Sequence, residues 1–167
     1  AMNAISPRTA PGPGQESVWD YPQPPRVETV TDKLRVVFDE QVVAETAKGF
    51  RLLETGYPPI YYFPAEDVDA EFLIPVYGDK ICDYLGLLRS WTLDVFGIRS
   101  EHAAWSCPNP PEAYQAIKGC YAFYPTRVDE CWVGLDRARA PDDDFAGGWI
   151  TPRIVGPFKS AAGTGNK

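Results

Sequence analysis

Alternating apolar and polar positions dominate the chain from about residue 33 to residue 133. β-Branched and aromatic residues form short runs bounded by turn-forming residues, a pattern typical of strands. These runs predict seven strands, at residues 33–38, 41–46, 50–55, 59–64, 90–96, 119–125 and 128–133. Asp39 and Glu40 alone separate the first two, which is the spacing of a hairpin, although neither residue type is favoured in a type I′ turn.

One stretch has the marks of a helix. Residues 111–119 read PEAYQAIKG, in which Pro111 and Glu112 suit a first helical turn and Gly119 suits a C-terminal stop. The patterns together predict a mainly β fold with one or two short helices.

The two halves of the strand-rich region share an order of features. Each half has a strand that ends in Val-Phe, a polar turn, a second strand that contains alanine, an aromatic run closed by proline, and then Val-Asp. Such internal similarity indicates a duplicated unit that cannot bury its hydrophobic face alone. We therefore expect a rolled sheet or β-sandwich built from two pseudo-symmetric repeats, about residues 33–69 and 91–130, with a pocket at the seam between them.

Composition changes at both ends of the chain. Residues 1–15 are rich in Pro, Gly, Ser and Thr, and residues 161–167 lack large apolar side chains. We expect a disordered N-terminal segment and a flexible tail, because neither end carries enough apolar surface to anchor it. The residues between them, 16–160, are predicted to form a single β domain, since 167 residues are few for two domains.

Charge and hydropathy exclude two classes of partner. The formal net charge is −7, whereas nucleic-acid binding depends on clustered Lys and Arg, so no nucleic-acid partner is expected. No run of about 18 apolar residues occurs, and the first residues lack the apolar middle region of a signal peptide. We therefore expect a soluble, cytoplasmic protein with no membrane partner.

Cysteines and the histidine offer little for metal or triad chemistry. The four cysteines, none of them in a Cys-x-x-Cys pair, are Cys82, Cys107, Cys120 and Cys131. We expect free thiols in a reducing compartment, and neither a metal site nor a cofactor. Catalysis of the Ser-His-Asp or Cys-His type would depend on His102, the only histidine, and the spacing of Glu101 and Ser106 around it does not require such a triad.

Glu54 is the candidate for acid–base chemistry. Strand alternation in FRLLET places Glu54 on one face with Phe50 and Leu52, and Arg51 on the other. A carboxylate on an apolar face is desolvated, which raises its pKa and suits a general acid or base. The alternative is a structural carboxylate that accepts hydrogen bonds from the turn at residues 57–59. Arg51 is either a solvated residue or a clamp for an anionic ligand.

The aromatic residues have two interpretations, core or cleft. Tryptophans at strand spacing most often pack in a core, but they also line clefts that stack on planar ligands. Asp67, shortly after Pro64, suits a turn cap, and the same holds for Asp129 in the second half. The residues that we predict to contact a ligand are Arg51, Tyr62, Asp67, Trp91, Trp105, Tyr124, Trp149, Thr151, Arg153 and Lys159.

The last three of these belong to GGWITPRIVGPFK, residues 147–159. Its glycines permit close backbone approach and its prolines hold an extended course. We predict that this segment is a strap across the sheets. The alternative is the wall of a pocket, in which Thr151, Arg153 and Lys159 would face the ligand.

Five motifs, in order, resemble the domain-of-unknown-function 427 family. They are ESVWDYPQPPRVE (16–28), RLLETGYPPIYYFPAEDV (51–68), AAWSCPNP (103–110), YAFYPTRVD (121–129) and GGWITPRIVGPFK (147–159). The resemblance implies a small, mainly β domain of bacterial origin with no settled activity. A nucleotidyltransferase-like activity is sometimes attached to the family, but this sequence has no Gly-Ser followed by a paired Asp-x-Asp to hold metal and triphosphate, so we do not expect it.

The chain departs from the family pattern at two positions. Residues 82–86 read CDYLG where the pattern reads Cys-x-Tyr-Lys-Gly, so Leu85 stands at the lysine position. Cys107 stands where the tyrosine of Ser-Tyr-Pro is usual. Chemistry that depends on that lysine is not expected in this chain.

Two functions from different classes follow. The first is a β domain that binds a small molecule at the seam between the repeats, and whether it also acts as an enzyme on a small polar metabolite stays open. The second is a noncatalytic homodimeric scaffold or protein-interaction module that uses exposed aromatics and sheet edges. The negative charge favours an uncharged or cationic ligand in the first case.

Overall fold

A computed structural model describes residues 7–143, 146–160 and 163–166. The strands are β1 (Glu16–Ser17), β2 (Arg26–Thr29), β3 (Leu34–Phe38), β4 (Gln41–Thr46), β5 (Phe50–Leu53), β6 (Ile60–Tyr62), β7 (Leu73–Cys82), β8 (Gly86–Val95), β9 (Ile98–Ser106), β10 (Tyr121–Phe123), β11 (Glu130–Val133), β12 (Asp136–Ala138), β13 (Ile154–Val155), β14 (Phe158–Ser160) and β15 (Gly163–Asn166). All seven strands that the alternation predicts are present, so the fold is mainly β as expected.

Three antiparallel sheets form the body of the molecule. Two have four strands, in the orders β12-β11-β3-β4 and β10-β9-β8-β7, and the third has the order β2-β5-β6. The Phe63 N–H donates to the Tyr121 carbonyl at 2.8 Å, and the Tyr121 N–H donates back at 2.9 Å, which joins the end of β6 to β10. The three-stranded sheet therefore continues into β10-β9-β8-β7 as a rolled sheet that does not close into a barrel within the described residues.

Strand alternation gives the rolled sheet two apolar faces. Tyr61 and Phe63 pack in the main core, between the two four-stranded sheets, whereas Tyr62 points to a second cluster on the opposite face. Ala122 and Phe123 of β10 divide in the same way. Successive residues of a strand face opposite sides, so one aromatic run serves two cores.

The duplication stays a prediction. The β3-β4 hairpin pairs with β11, whereas the β8-β9 hairpin is extended by β7 on one side and β10 on the other. The two hairpins therefore have different neighbours, and a pseudo-twofold relation between the halves is not established.

The turn between β3 and β4 forms despite its unfavourable residues. Asp39 has φ 49° and Glu40 has φ 64°, so both adopt the left-handed conformation of a two-residue hairpin turn. The Asp39 N–H donates to Oδ2 of Asp129 at 2.7 Å. This hydrogen bond from a distant part of the chain supports a conformation that the local sequence disfavours.

Helical structure is shorter and more dispersed than predicted. The helices are five short 3₁₀ segments, and no α-helix occurs among the described residues: Val18–Asp20, Ala65–Asp67, Ala70–Phe72, Glu112–Ile117 and Pro125–Arg127. In the predicted helix, Tyr114 has non-helical φ −119° and ψ 18°, and its hydroxyl donates to the Pro25 carbonyl at 2.8 Å. This tertiary anchor replaces regular helical geometry. None of the helices in the described ranges has the length and apolar character needed to cross a membrane.

The sequence predicts disorder at both ends of the chain, but described residues at each end form hydrogen bonds with backbone groups. The Thr9 N–H donates to the Gly156 carbonyl at 3.0 Å, and Nε2 of Gln15 donates to the Pro152 carbonyl at 2.9 Å. Gly163–Asn166 in the predicted tail pairs with β14 as β15. Residues 1–6, 161, 162 and 167 lie outside the described residues, so the predictions for them are not addressed.

Candidate functional site

A pocket of about 450 Å³ opens between the two parts of the rolled sheet. Leu52 of β5 and Tyr62 of β6 form one wall, and Leu88 of β8 and Trp105 of β9 form the other. Loop residues around Leu85, which is 3% exposed, close one side. The remaining lining residues are Pro25, Glu54, Tyr57, Pro58, Ile60, Lys80, Ile81, Cys82, Asp83, Tyr84, Tyr124 and Ala146. The pocket thus lies between strands from the first and second halves of the chain, whereas a seam between two repeats stays a prediction.

Tyr62 forms the most deeply buried polar part of the lining. Its side chain is fully buried, solvent does not reach its hydroxyl, and that hydroxyl makes no hydrogen bond of ordinary geometry within the described part of the chain. Burial raises the pKa of Tyr62 well above its usual range; the neighbouring thiols add to this, and the Trp105 indole opposes it. Native proteins rarely leave a buried hydroxyl without a partner, and this one lies behind the pocket surface rather than on it.

Aromatic rings extend the pocket wall from Tyr62. The Trp105 and Tyr62 ring centroids are 6.4 Å apart in an edge-to-face arrangement, and the Trp105 and Tyr124 centroids are 4.6 Å apart. The far edge of the Trp105 indole lies against Gly147, where an added Cβ would come within 2.3 Å of Cη2. The absence of a side chain at Gly147 therefore sets the position of the indole that faces the pocket.

Glu54 lies at the mouth of the pocket and is half-buried. Burial raises the pKa of its carboxyl, and the positive charge of Lys159 opposes this. The Tyr57 N–H donates to the backbone carbonyl of Glu54 at 3.0 Å and not to the carboxylate. No residue in the described ranges forms a hydrogen bond or ion pair with that carboxylate, so the predicted alternative, a carboxylate held by the adjacent turn, does not match the geometry.

Two buried thiols near the pocket are poor nucleophiles. Burial raises the pKa of Cys107 to about 12 and that of Cys120 to about 11, and the neighbouring thiols contribute to the first of these shifts. Only the thiolate is strongly nucleophilic, so both side chains stay unreactive at neutral pH. All four cysteines are free, and no group of three or more possible metal ligands occurs among the residues described.

Two predicted ligand contacts are held in ion pairs in another part of the fold. Arg51 pairs with Glu16 at 2.8 Å and Glu28 at 2.9 Å. Arg153 pairs with Asp136 at 2.7 Å and also with Asp32. Both guanidinium groups are engaged by carboxylates from distant segments, so each has a structural role, and neither lines the pocket between the sheets.

Four further candidates have their polar groups satisfied within the protein. The Asp67 carboxylate accepts from the Thr46 hydroxyl at 2.7 Å, and the Thr151 hydroxyl accepts from the Arg153 N–H at 3.2 Å. The indole of Trp91 donates to Ser106 at 2.9 Å. None of the three lines the pocket, and the fourth, Trp149, belongs to the main core. The predicted residues that the structure brings together in the pocket are Glu54, Tyr62, Trp105 and Tyr124.

The segment at residues 147–159 crosses the sheets as a strap, and its residues from Ile150 to Phe158, Thr151 among them, also form much of the wall of a separate pocket of about 650 Å³. Trp149 is fully buried, its backbone N–H donates to the Pro59 carbonyl at 2.8 Å, and its indole donates to the Phe123 carbonyl at 3.1 Å. An added Cβ at Gly148 would meet the Pro58 carbonyl oxygen at 2.7 Å, so the strap passes in close contact with the turn before β6. Lys159 approaches the pocket mouth, with Nζ 5.5 Å from the Tyr57 ring centroid.

Sequence reasoning missed several lining residues that lie on or after β7. Alternation does not predict β7 because Pro75, Gly78 and the charged residues 79 and 80 interrupt it. Leu85 and Tyr84 belong to the CDYLG segment, which the sequence singled out only for its departure from the family pattern. The CDYLG motif was the only feature of the sequence that drew attention to these residues. The long β7-β8 hairpin determines which residues lie beside them in the folded protein.

The molecule is thus a small, mainly β domain with an apolar, aromatic pocket between two parts of a rolled sheet. Residues 26–134 match the family model described as Domain of unknown function (DUF427). This match covers more than half of the chain, so the chain belongs to that family, as the motifs predicted. A comparison with curated proteins gives no match.

Proposed function

We propose that this protein binds a small molecule in the pocket between the sheets. The observation that carries the proposal is a pocket with an apolar and aromatic lining and one half-buried carboxylate, that of Glu54, with no hydrogen-bond or ion-pair partner among the described residues. A partly desolvated carboxylate without a partner costs free energy, part of which a ligand that supplies a hydrogen bond or a positive charge recovers on binding. A volume of about 450 Å³ lies in the range of small-molecule sites, roughly 300 to 1,000 Å³.

Acid–base catalysis is an extension of this proposal rather than a separate function. A carboxyl with a raised pKa holds its proton more tightly than an ordinary glutamate and is suited to exchange a proton with a bound ligand. The raised pKa values of the nearby buried thiols Cys107 and Cys120 make them poor nucleophiles, whereas the free thiol of Cys82 lies in the lining itself. The role proposed for Glu54 is that of the acid–base group. The four free cysteines support a reducing, cytoplasmic location for this activity.

A thermal-shift screen with metabolites and nucleotides tests the binding proposal. Leu88→Trp fills the pocket, whereas Leu135→Trp makes the same change at a residue that is 94% exposed and outside the lining. We expect a compound that raises the melting temperature of the wild type and of Leu135→Trp, with the shift lost in Leu88→Trp. No shift with any compound, or a shift that persists in Leu88→Trp, would contradict the proposal.

The second candidate, a homodimeric scaffold or interaction module, rests on the exposed apolar side chains of β7. Tyr77 is 91% exposed and Ile81 is 76% exposed on this edge strand. The pairing of β7 with β8 breaks between Val76 and Lys80, which interrupts the edge and opposes long strand-to-strand association. Sedimentation velocity at micromolar concentration tests this candidate: a dimer that Tyr77→Ser converts to a monomer would favour it over the first.

A further inference from the structure

We propose that the ligand of this pocket is an organic cation, a substituted ammonium group on an apolar or aromatic body. This inference rests on the proposed function, because it names the class of molecule that the same pocket takes. It is carried by the rings of the lining, by the half-buried carboxylate beside them, and by the apolar walls.

The rings supply an attractive surface for positive charge. Five aromatic side chains line the pocket, namely Tyr57, Tyr62, Tyr84, Trp105 and Tyr124. The face of an aromatic ring carries partial negative charge, and its attraction for a cation increases when water is excluded. The protein already uses this interaction beside the pocket, where Nζ of Lys159 lies 5.5 Å from the centroids of both Trp19 and Tyr57.

The charges of the lining favour the same ligand. Glu54 and Asp83 provide two carboxylates, Lys80 provides the one ammonium group of the lining, and no arginine occurs among the described lining residues. Lys80 and Asp83 are exposed, Glu54 is half-buried at the mouth, and the Lys159 charge acts on Glu54 from beside the pocket. The partly desolvated charge within the lining is therefore the Glu54 carboxylate, which disfavours an anionic ligand beside it.

The apolar walls distinguish a substituted ammonium from a primary amine. A primary ammonium has three N–H donors that need acceptors, whereas a fully substituted one has none. Leu52, Leu85 and Leu88 present only hydrocarbon. The pocket therefore accommodates a cation whose surface is itself apolar, with Glu54 balancing its charge.

Calorimetric titration at pH 7 with three matched probes tests this inference. The probes are (4-hydroxyphenyl)trimethylammonium, its uncharged isostere 4-tert-butylphenol, and phenyltrimethylammonium, which lacks the hydroxyl. We expect the first probe to bind about tenfold more tightly than the uncharged isostere. Glu54→Gln should remove most of this difference. Glu71→Gln, which removes an exposed carboxylate outside the pocket, should leave all three affinities unchanged.

The outcomes separate this inference from the proposed function. Equal affinity for the cation and its uncharged isostere would overturn the cation class and leave small-molecule binding in place. If compounds from the thermal-shift screen bind and neither cation binds, the cation class is likewise overturned and small-molecule binding stands. Failure of every compound, cationic or not, would overturn both. An advantage of the cation that persists unchanged in Glu54→Gln would also overturn the role of the carboxylate.

Discussion

At the scale of single residues, Tyr62 and Glu54 present polar groups that the described part of the fold leaves without hydrogen-bond partners. Each costs folding free energy in the protein without ligand, because desolvation of the group is not offset by a contact. Residues that serve binding commonly carry such a cost, so their replacement stabilises the protein while it weakens the site. This cost distinguishes both residues from purely structural ones, because removal of the polar group is expected to stabilise the protein.

Tyr62→Phe and Tyr114→Phe form a matched test of the cost of the Tyr62 hydroxyl. Both tyrosines are buried, but the Tyr114 hydroxyl donates to the Pro25 carbonyl at 2.8 Å and the Tyr62 hydroxyl has no partner among the described residues. We expect Tyr62→Phe to leave the free energy of unfolding unchanged or to raise it by up to about 1 kcal/mol, and Tyr114→Phe to lower it by about 1 to 3 kcal/mol. Urea denaturation measures both, and a loss of stability in Tyr62→Phe as large as in Tyr114→Phe would contradict the assignment.

The free-energy cost of the Glu54 carboxylate depends on pH. Because burial raises the pKa of Glu54 in the folded protein, the folded state holds this proton more tightly than the unfolded chain. The ionised carboxylate therefore destabilises the folded state at pH 7, and this effect disappears as the pH falls through the raised pKa towards the unfolded value. Lys159 and the hydroxyls of Tyr57 and Tyr114 are the titratable groups coupled to Glu54, and Lys80, Asp83 and Tyr84 also line the pocket.

We expect Glu54→Gln to be more stable than the wild type at pH 7, by less than about 1 kcal/mol at this half-exposed position. The difference should vanish near pH 4, where the wild-type carboxyl is largely protonated in both states. Urea unfolding at the two pH values measures it. A Glu54→Gln variant that is less stable than the wild type at pH 7 would show that the carboxylate has a stabilising partner.

At the scale of elements, the strands are predictable from alternation and several of the turns are not. The alternation in KLRVVF and IYYFP identifies strands because it depends only on residues that are neighbours in the sequence. The left-handed turn at Asp39 and Glu40 depends on a hydrogen bond from Asp129, ninety residues away in the chain. Long-range contacts of this kind leave no periodic signal in the sequence.

Glu40→Gly tests the turn. Glu40 has φ 64°, a conformation that glycine adopts without strain, so the change should raise the free energy of unfolding by roughly 0.5 to 1 kcal/mol. Gly97→Ala is the reverse change in the β8-β9 turn, where φ is 94° and no described atom lies within 4 Å of an added Cβ. It should destabilise by about 1 kcal/mol or more. Thermal unfolding measures both, and a destabilised Glu40→Gly would show that the glutamate side chain supports the turn.

The strap positions a pocket wall, which Gly147→Ala tests. Gly147 has φ 77°, and an added Cβ would lie 2.3 Å from the Trp105 indole, whereas Gly119 has φ 72° with no described atom within 4 Å. Both substitutions carry backbone strain, but only Gly147→Ala displaces Trp105. We expect Gly147→Ala to cost about 1 to 3 kcal/mol more than Gly119→Ala in urea unfolding and to change Trp105 fluorescence. Equal costs would show that the strap does not constrain the indole.

At the scale of the whole molecule, the sequence predicts a mainly β fold with a pocket at the seam, and it does not predict which polar residues meet there. Glu54 could be assigned to the apolar face because its position in FRLLET is local information. Arg51 and Arg153 could not be excluded, since their partners Glu16 and Asp32 come from distant parts of the chain. Leu85 enters the pocket only through the fold of the β7-β8 hairpin. The duplication, which suggested the seam, stays a prediction.

Nuclear magnetic resonance of the tryptophan indole N–H groups tests the central claim most directly. The chain has five tryptophans, and Trp105 alone lines the pocket between the sheets. The protein is titrated with the compound that stabilises it most in the thermal-shift screen, and the Trp105 signal is assigned with Trp105→Phe. We predict that the Trp105 indole signal shifts on saturation while that of Trp149, bonded to the Phe123 carbonyl in the main core, stays in place. An unchanged Trp105 signal at saturating ligand would contradict the placement of the site.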